Sequence, residues 1–380
     1  MYDQIREDIL FLMFYAVVAA LSMVACCYLL LRRGNAFSPD IMSPVRLRRW
    51  TAAFFAAMTL SHLWYIPSIF LTSSEDVKLN YLLGALLDYL ILVPLAIVIL
   101  FTMLQDHRRP LWPVAVMTAP PVVIMAWCVA SRSDALPPML YGSLLLLGVC
   151  LIIYMVRATR QYGRWLRDNY ADLEHKEVWQ SFVVLAFMLL LFVFYTFIGD
   201  VPLFLYAYQV FDIVLLGYLL WRVETLSDLG IPVNDTAAEM PTTEKANDKD
   251  LSSPMRDRPA LTPGMTKNIG LLLQQHCIDT QLYLQHDMTL AQLAKSIGTN
   301  RYYLSQYFSS QGTTYNTYIN DLRINHFVGL YREALDTQRS FTLQQLALES
   351  GYRSYSTFSD VIKRKTGKSV RAWMKEFGEP

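Results

Sequence analysis

The sequence predicts an all-α protein: a seven-helix transmembrane bundle, then a C-terminal domain of two helix-turn-helix units joined by a long helix. Three observations carry this. The 380 residues are 54% hydrophobic and only 17% charged, against roughly 45–50% and 25% in soluble domains. The apolar excess sits in seven runs before Arg222, each near the ~20 residues that cross ~30 Å of hydrocarbon at 1.5 Å per residue. A ten-residue helical pattern then occurs twice in the tail. The chain therefore divides into 1–221 (seven spans), 222–264 (linker) and 265–380 (tail).

The first run, Ile9–Leu31, has 23 residues and no charge. A cleavable signal peptide would have a basic flank and a shorter core. Here Asp3, Glu7 and Asp8 precede the run with only Arg6 against them, so it is read as a retained span. The others are Thr51–Leu71, Tyr81–Met103, Leu111–Ala130, Pro138–Val156, Trp179–Ile198 and Leu203–Trp221. Pro113, Pro120 and Pro121 interrupt the fourth run, which a spanning helix tolerates when neighbours satisfy the freed backbone groups.

Lys and Arg accumulate in cytoplasmic loops. With the amino terminus outside, the inner loops hold twelve: Arg32, Arg33, Arg46, Arg48, Arg49, Arg108, Arg109, Arg157, Arg160, Arg164, Arg167 and Lys176. The outer side holds three, Arg6, Lys78 and Arg132. Seven spans from an outside start put the tail in the cytoplasm.

The net charge of +1 hides an uneven layout: residues 222–264 carry 5 basic and 8 acidic groups, residues 265–380 carry 13 and 9. Gly230 and Pro232 should stop the last helix. Residues 233–264, rich in Asp, Glu, Thr, Ser, Pro and Lys, read as a flexible linker. Cys26, Cys27, Cys128, Cys150 and Cys277 show no metal-ligand spacing and read mostly as small hydrophobes. Neither a metal site nor a cofactor is expected.

Thr289–Gly298 reads TLAQLAKSIG and Thr342–Gly351 reads TLQQLALESG, identical at six of ten positions and 53 residues apart. Leu290, Leu293, Ala294 and Ile297 form a helical stripe in the first copy; Leu343, Leu346 and Ala347 do so in the second. Thr289 with Gln292, and Thr342 with Gln345, have capping-box spacing. A second helix follows each closing Gly, over Arg301–Ser310 and Tyr355–Lys365. Leu304, Tyr307 and Phe308, and then Phe358, Val361 and Ile362, are expected to face inward. Helix, Gly turn, helix is the unit whose second helix enters the DNA major groove. Tyr315–Leu335 reads as one long helix between the two units.

Gly351–Gly367 reads GYRSYSTFSDVIKRKTG. It resembles the second helix-turn-helix unit of the AraC/XylS transcription regulators, through Gly351, Tyr352, Ser354, Ser356, Phe358, Ser359, Lys363 and Gly367. Tyr318, Arg323 and Ile324 match that family's connecting helix. The resemblance covers about residues 267–376, under a third of the chain. It departs at Asp360, where an Arg is usual, at Ile362, where an aromatic is usual, and at Val370, where a Pro is usual. The resemblance implies a DNA-binding domain of bacterial regulator type, so the bilayer is read as the inner membrane.

Base-edge candidates are Asn300, Arg301, Tyr302, Ser305 and Gln306 in the first unit, and Arg353, Ser354, Tyr355 and Thr357 in the second. Arg suits guanine, and Asn or Gln suits adenine. Lys363, Arg364, Lys365, Lys368 and Arg371 form a basic run suited to phosphates. Double-stranded DNA and the lipid bilayer are the expected partners, with homodimerisation left open.

Ionisable groups within a bilayer are costly and default to functional readings. His62, Asp88 and Asp212, with Tyr89 and Gln209, lie at similar depth in the outer half and read equally as the lining of a pocket for an unknown signal ligand or as a structural hydrogen-bond cluster without one. Trp64, Tyr65, Tyr206 and Tyr208 lie at comparable levels. No catalytic residue is expected, because the tail lacks GxxxxGK[ST] and GxGxxG phosphate loops. The reading is a membrane-embedded regulator coupling a membrane or extracytoplasmic signal to gene expression; the alternative is a receptor whose tail binds a protein.

Overall fold

The computed structural model describes residues 8–32, 35, 42–132, 138–198, 201–229 and 261–378. Most of the expected linker, 230–260, lies outside them. The described residues are helical throughout, with one isolated antiparallel bridge between Tyr170 and Thr289. They fall into two compact units. One contains the apolar helices; the other contains the C-terminal helices together with Gly163–Glu177.

In the first unit α1 spans Ile9–Leu31, α2 Val45–Trp64, α3 Pro67–Phe70, α4 Ser74–Met103, α5 Trp112–Ser131, α6 Pro138–Asn169, α7 Trp179–Ile198 and α8 Val201–Thr225. Every apolar run expected to span is helical. Five stretches among the described residues are long and apolar enough to cross a membrane: α1, α2 with α3, α4, α5, and Gly142–Asn169 of α6. α1 packs on α2, α2 on α4, and α4 on α5, while α8 packs on α1, α2 and α7.

The boundaries differ from the expected ones for local reasons. The second run breaks after Trp64 into α2 and α3, because Pro67 has no N–H to donate and disfavours helical backbone at the residue before it. α4 starts seven residues early, at Ser74, where Glu75 and Asp76 suit the positive end of a helix. α6 continues past Val156 to Asn169, so Arg157, Arg160, Arg164 and Arg167 lie on helix instead of loop. Pro120 and Pro121 sit within α5 without ending it.

In the second unit α9 is Pro263–Leu273, continued by a π turn at Gln274–Ile278 and a 3-10 turn at Leu282–Leu284. Then come α10 Leu290–Ser296, α11 Arg301–Ser310, α12 Tyr315–Asp336, α13 Leu343–Glu349, α14 Tyr355–Thr366 and α15 Val370–Gly378. Two hydrophobic cores divide these helices. The first gathers Ile269, Leu273, Leu290, Leu293, Ile297, Leu304 and Phe308 with Tyr315 and Ile319 of α12. The second gathers Leu346, Tyr352, Phe358, Ile362 and Trp373 with Ile324 and Phe327 of α12. Phe327 and Phe358 are fully buried with ring centroids 4.3 Å apart, each burial contributing about 1.5–3 kcal/mol. One helix thus supplies both cores, its first half to one and its middle to the other.

Candidate nucleic-acid interface

Each helix-turn-helix unit is shaped by its caps and its turn. Thr289 Oγ1 accepts from Gln292 N at 3.2 Å while Gln292 Oε1 accepts from Thr289 N at 2.8 Å, a complete capping box. The second box is half made. Thr342 Oγ1 accepts from Gln345 N at 3.1 Å, but the Gln345 amide turns to Glu349 Oε1, one helical turn on, at 3.0 Å. The turns close on Gly298 (φ +74°) and Gly351 (φ +86°). At Gly351 a Cβ would also stand 2.7 Å from the Leu284 backbone.

α12 sets the spacing between the units. Its 22 residues span ~33 Å, close to the ~34 Å between successive major-groove faces. Arg323, which the family resemblance singled out, is 1% exposed. Its Nε donates to Tyr283 O and its Nη2 to Gln285 O, both at 2.8 Å, and the guanidinium lies 5.6 Å from the Tyr352 ring centre. Arg323 therefore bonds the loop before the first unit and faces an aromatic of the second, and does not point to a ligand. Burial pushes its pKa down, opposed by Tyr352 and Tyr315 and then by Asp172 and Asp287.

The expected base readers differ in what they are free to do. Asn300 caps α11, its Oδ1 accepting from Tyr303 N at 2.9 Å. Gln306 Nε2 donates to Tyr302 OH at 2.6 Å, so two of the candidates hold one another. Arg301 and Ser305 are half-buried on the same helix. In the second unit Arg353 is exposed, 3.6 Å from Asp287. Ser354 caps α14, accepting from Thr357 N at 3.1 Å, Thr357 is buried, and Tyr355 packs against the second core. All five basic residues are exposed: Lys363, Arg364 and Lys365 on α14, Lys368 in the turn after it and Arg371 on α15. Arg364 lies 3.6 Å from Glu177, and Lys365 pairs with Asp321.

Sequence reasoning missed the segment that follows α6. Asn316 Nδ2 donates to Tyr170 O at 3.1 Å and Ala171 O at 2.6 Å, and Asn320 Nδ2 donates to Ala171 O at 3.0 Å. Ala171 is buried within the first core. Lys176 pairs with Asp287 at 3.4 Å. Glu174 Oε2 accepts from Ser354 Oγ at 3.1 Å and, more closely, from Thr357 Oγ1. A signal was available: Asn316 and Asn320 put two amides one turn apart beside the core residues Tyr315 and Ile319.

In the first unit, His62 Nε2 lies 3.2 Å from Gln209 Oε1 and 4.0 Å from Asp212 Oδ2, with all three residues buried. His62 Nδ1 bonds Met58 O at 2.8 Å. Tyr65 OH donates to Asp88 Oδ2 at 2.8 Å. The expected groups thus form two polar contacts, His62–Gln209–Asp212 and Tyr65–Asp88. Tyr89 is buried, but its hydroxyl has no hydrogen-bond partner among the described residues. Tyr206 instead donates to Asp8 at 2.8 Å. Tyr15 went unnoticed in the sequence; its hydroxyl donates to His62 O at 2.7 Å and its ring centre lies 4.5 Å from that of His62.

Among the described residues no group of His, Cys, Asp and Glu could hold a metal ion. Burial pushes the Cys277 thiol up to about 11, so it stays protonated and inert near neutral pH.

No curated protein and no solved structure matches this chain. A family model described as a helix-turn-helix domain matches residues 293–376, about a fifth of the sequence. The match begins inside α10 and runs through α15, taking in most of both units and the strut. This part of the chain is similar to a helix-turn-helix domain, which supports an AraC-like DNA-binding domain here.

Proposed function

We propose that the chain is a membrane-embedded, sequence-specific DNA-binding regulator of transcription. Seven spans with the amino terminus outside carry the tail into the bacterial cytoplasm, through the linker at 222–264. The observation that carries the DNA reading is the pair of Gly-turned helix units on one strut of ~33 Å, which suits one chain to two successive major grooves. Asn300, Arg301, Tyr302, Ser305, Gln306, Arg353, Ser354, Tyr355 and Thr357 are the proposed readers. The basic run of α14 and α15 takes the phosphates.

The membrane reading rests on the five long apolar helices and on what they turn outward. Leu10, Trp127 and Leu145 are each more than 70% exposed. Such faces would drive aggregation in water and suit lipid. A signal acts by differential affinity for two arrangements of the bundle. The buried His62, Gln209 and Asp212 cluster, with Asp88 and Tyr89 near it in sequence depth, is the proposed place where it is felt. A homodimer is compatible with this scheme.

The test uses the full chain in lipid nanodiscs, challenged with a pool of randomised duplexes at low salt. Enrichment of one sequence, with log affinity falling linearly in log salt, supports the reading. Absence of enrichment favours a tail that binds protein. A protease-sensitive tag at Pro380 should be cut only after the inner membrane is breached.

A further inference from the structure

The segment between α6 and α7 contains Asp172, Glu174 and Glu177, where loop Lys and Arg are expected on a cytoplasmic side. It folds as part of the C-terminal unit. Its contacts fall on the elements proposed to meet DNA. Glu174 accepts from both Ser354 and Thr357, at the amino end of α14. Helix amino ends carry a partial positive charge and exposed N–H groups, which is why they bind phosphate. A carboxylate bonded to two hydroxyls there has the charge and acceptor geometry of a DNA phosphate. Glu177 lies 3.6 Å from Arg364 of the basic run. Lys176 shares Asp287 with Arg353, which adds a third anchor beside the proposed readers.

This is a seated segment, and not a chance approach of charges. Ala171 is buried in the first core, its carbonyl takes amides from Asn316 and Asn320, and Tyr170 bridges to Thr289. Asp172 Oδ1 accepts from Glu174 N at 3.0 Å, a tight turn that presents the Glu174 side chain. The anchors lie on α12 and in the first unit, while the acids reach the second.

From these contacts we infer that residues 170–177 are an intrachain DNA mimic: docked, they cover the reading end of α14, and DNA must displace them. The inference rests on the DNA-binding reading above and adds its regulation. The segment is continuous in sequence with α6 on one side and α7 on the other, so a shift in either helix changes how easily it leaves. Glu174 and Glu177 are each about a third exposed, so each contact is modest, and the whole competes through its number of contacts.

The test measures binding of a selected duplex to the full chain in nanodiscs, comparing wild type, Glu174→Ala/Glu177→Ala, and Asn316→Ala. Asn316→Ala changes no charge and touches no proposed reader, yet removes the bond to Tyr170 O and one of the two amide bonds to Ala171 O. Both variants should bind about tenfold tighter, because apparent affinity scales with the undocked fraction. Hydrogen exchange of residues 170–177 should quicken in wild type when duplex is added. Equal affinities for all three proteins would overturn the mimic and leave DNA binding intact. Tighter binding by the Glu variant alone would reduce the effect to lost repulsion and also overturn it. No binding by any form at low salt would overturn the DNA reading and the inference together.

Discussion

Arg323 offers the sharpest test of what holds the two helix-turn-helix units in register. Its Nε and Nη2 each meet a backbone carbonyl at 2.8 Å, in a site where the residue is 1% exposed. Hydrogen bonds from a charged donor contribute about 1.5–3 kcal/mol each, and Arg323→Met would lose two and orphan two carbonyls. Relief from burying a charge offsets part of this, leaving a cost of about 3 kcal/mol. At 1.4 kcal/mol per decade that is roughly a hundredfold. The assay is hydrogen exchange on the full chain in nanodiscs, where amides of α12 and α13 should lose about two decades of protection. Arg323→Lys should fall between, since an ammonium cannot reproduce the planar fork. The slope of log affinity against log salt should not change for the folded fraction, because Arg323 meets no phosphate. A changed slope with protection intact would refute the structural role and make Arg323 a DNA contact.

Other expectations follow from the same geometry. Gly351→Ala needs a positive φ and a Cβ 2.7 Å from the Leu284 backbone, so it should cost more than ~2 kcal/mol, whereas Gly298→Ala meets nothing within 4 Å and should cost only the backbone part. Comparing their denaturation midpoints checks this. Arg353→Ala should relax base preference in duplex selection, while Lys365→Ala should weaken all duplexes alike and lower the salt slope by about one; equal effects would remove Arg353 from the readers. His62→Ala leaves Gln209 and Asp212 buried without their partner, so reporter output should shift at constant protein level, and unchanged output would make the cluster packing alone. Cys277, with its thiol held near 11, should resist alkylation at pH 8 until the domain unfolds.

The apolar runs were legible as helices from their length and composition, and each is helical, the second in two pieces. Their ends were less so. Pro67 broke one helix and α6 ran thirteen residues past Val156, because charged residues such as Arg157 and Arg160 are good helix formers that a hydropathy reading takes for loop. Most of the doubled motif's core was legible: Leu290, Leu293, Ala294, Ile297, Phe358 and Ile362 are buried as expected, while Tyr307, Leu343 and Val361 are only half-buried against the two cores. The Asp360, Ile362 and Val370 departures leave the fold intact, and Ile362 and Val370 both pack in the second core.

Contacts distant in sequence were not legible. Glu174 meets Thr357 across 183 residues, and no periodicity reports such a pair. Arg323 was found only as a matched family position, and its role became plain once its carbonyl partners were known. Tyr15 escaped because a tyrosine in an apolar run resembles any other amphipathic aromatic until its hydroxyl finds His62 O.

The central claim is that one chain grips two turns of the same duplex. A methylation-protection footprint of the full chain in nanodiscs, on its selected duplex, tests it most directly. The account predicts two patches of major-groove protection about 10 base pairs apart. One patch, or uniform protection along the duplex, would contradict it.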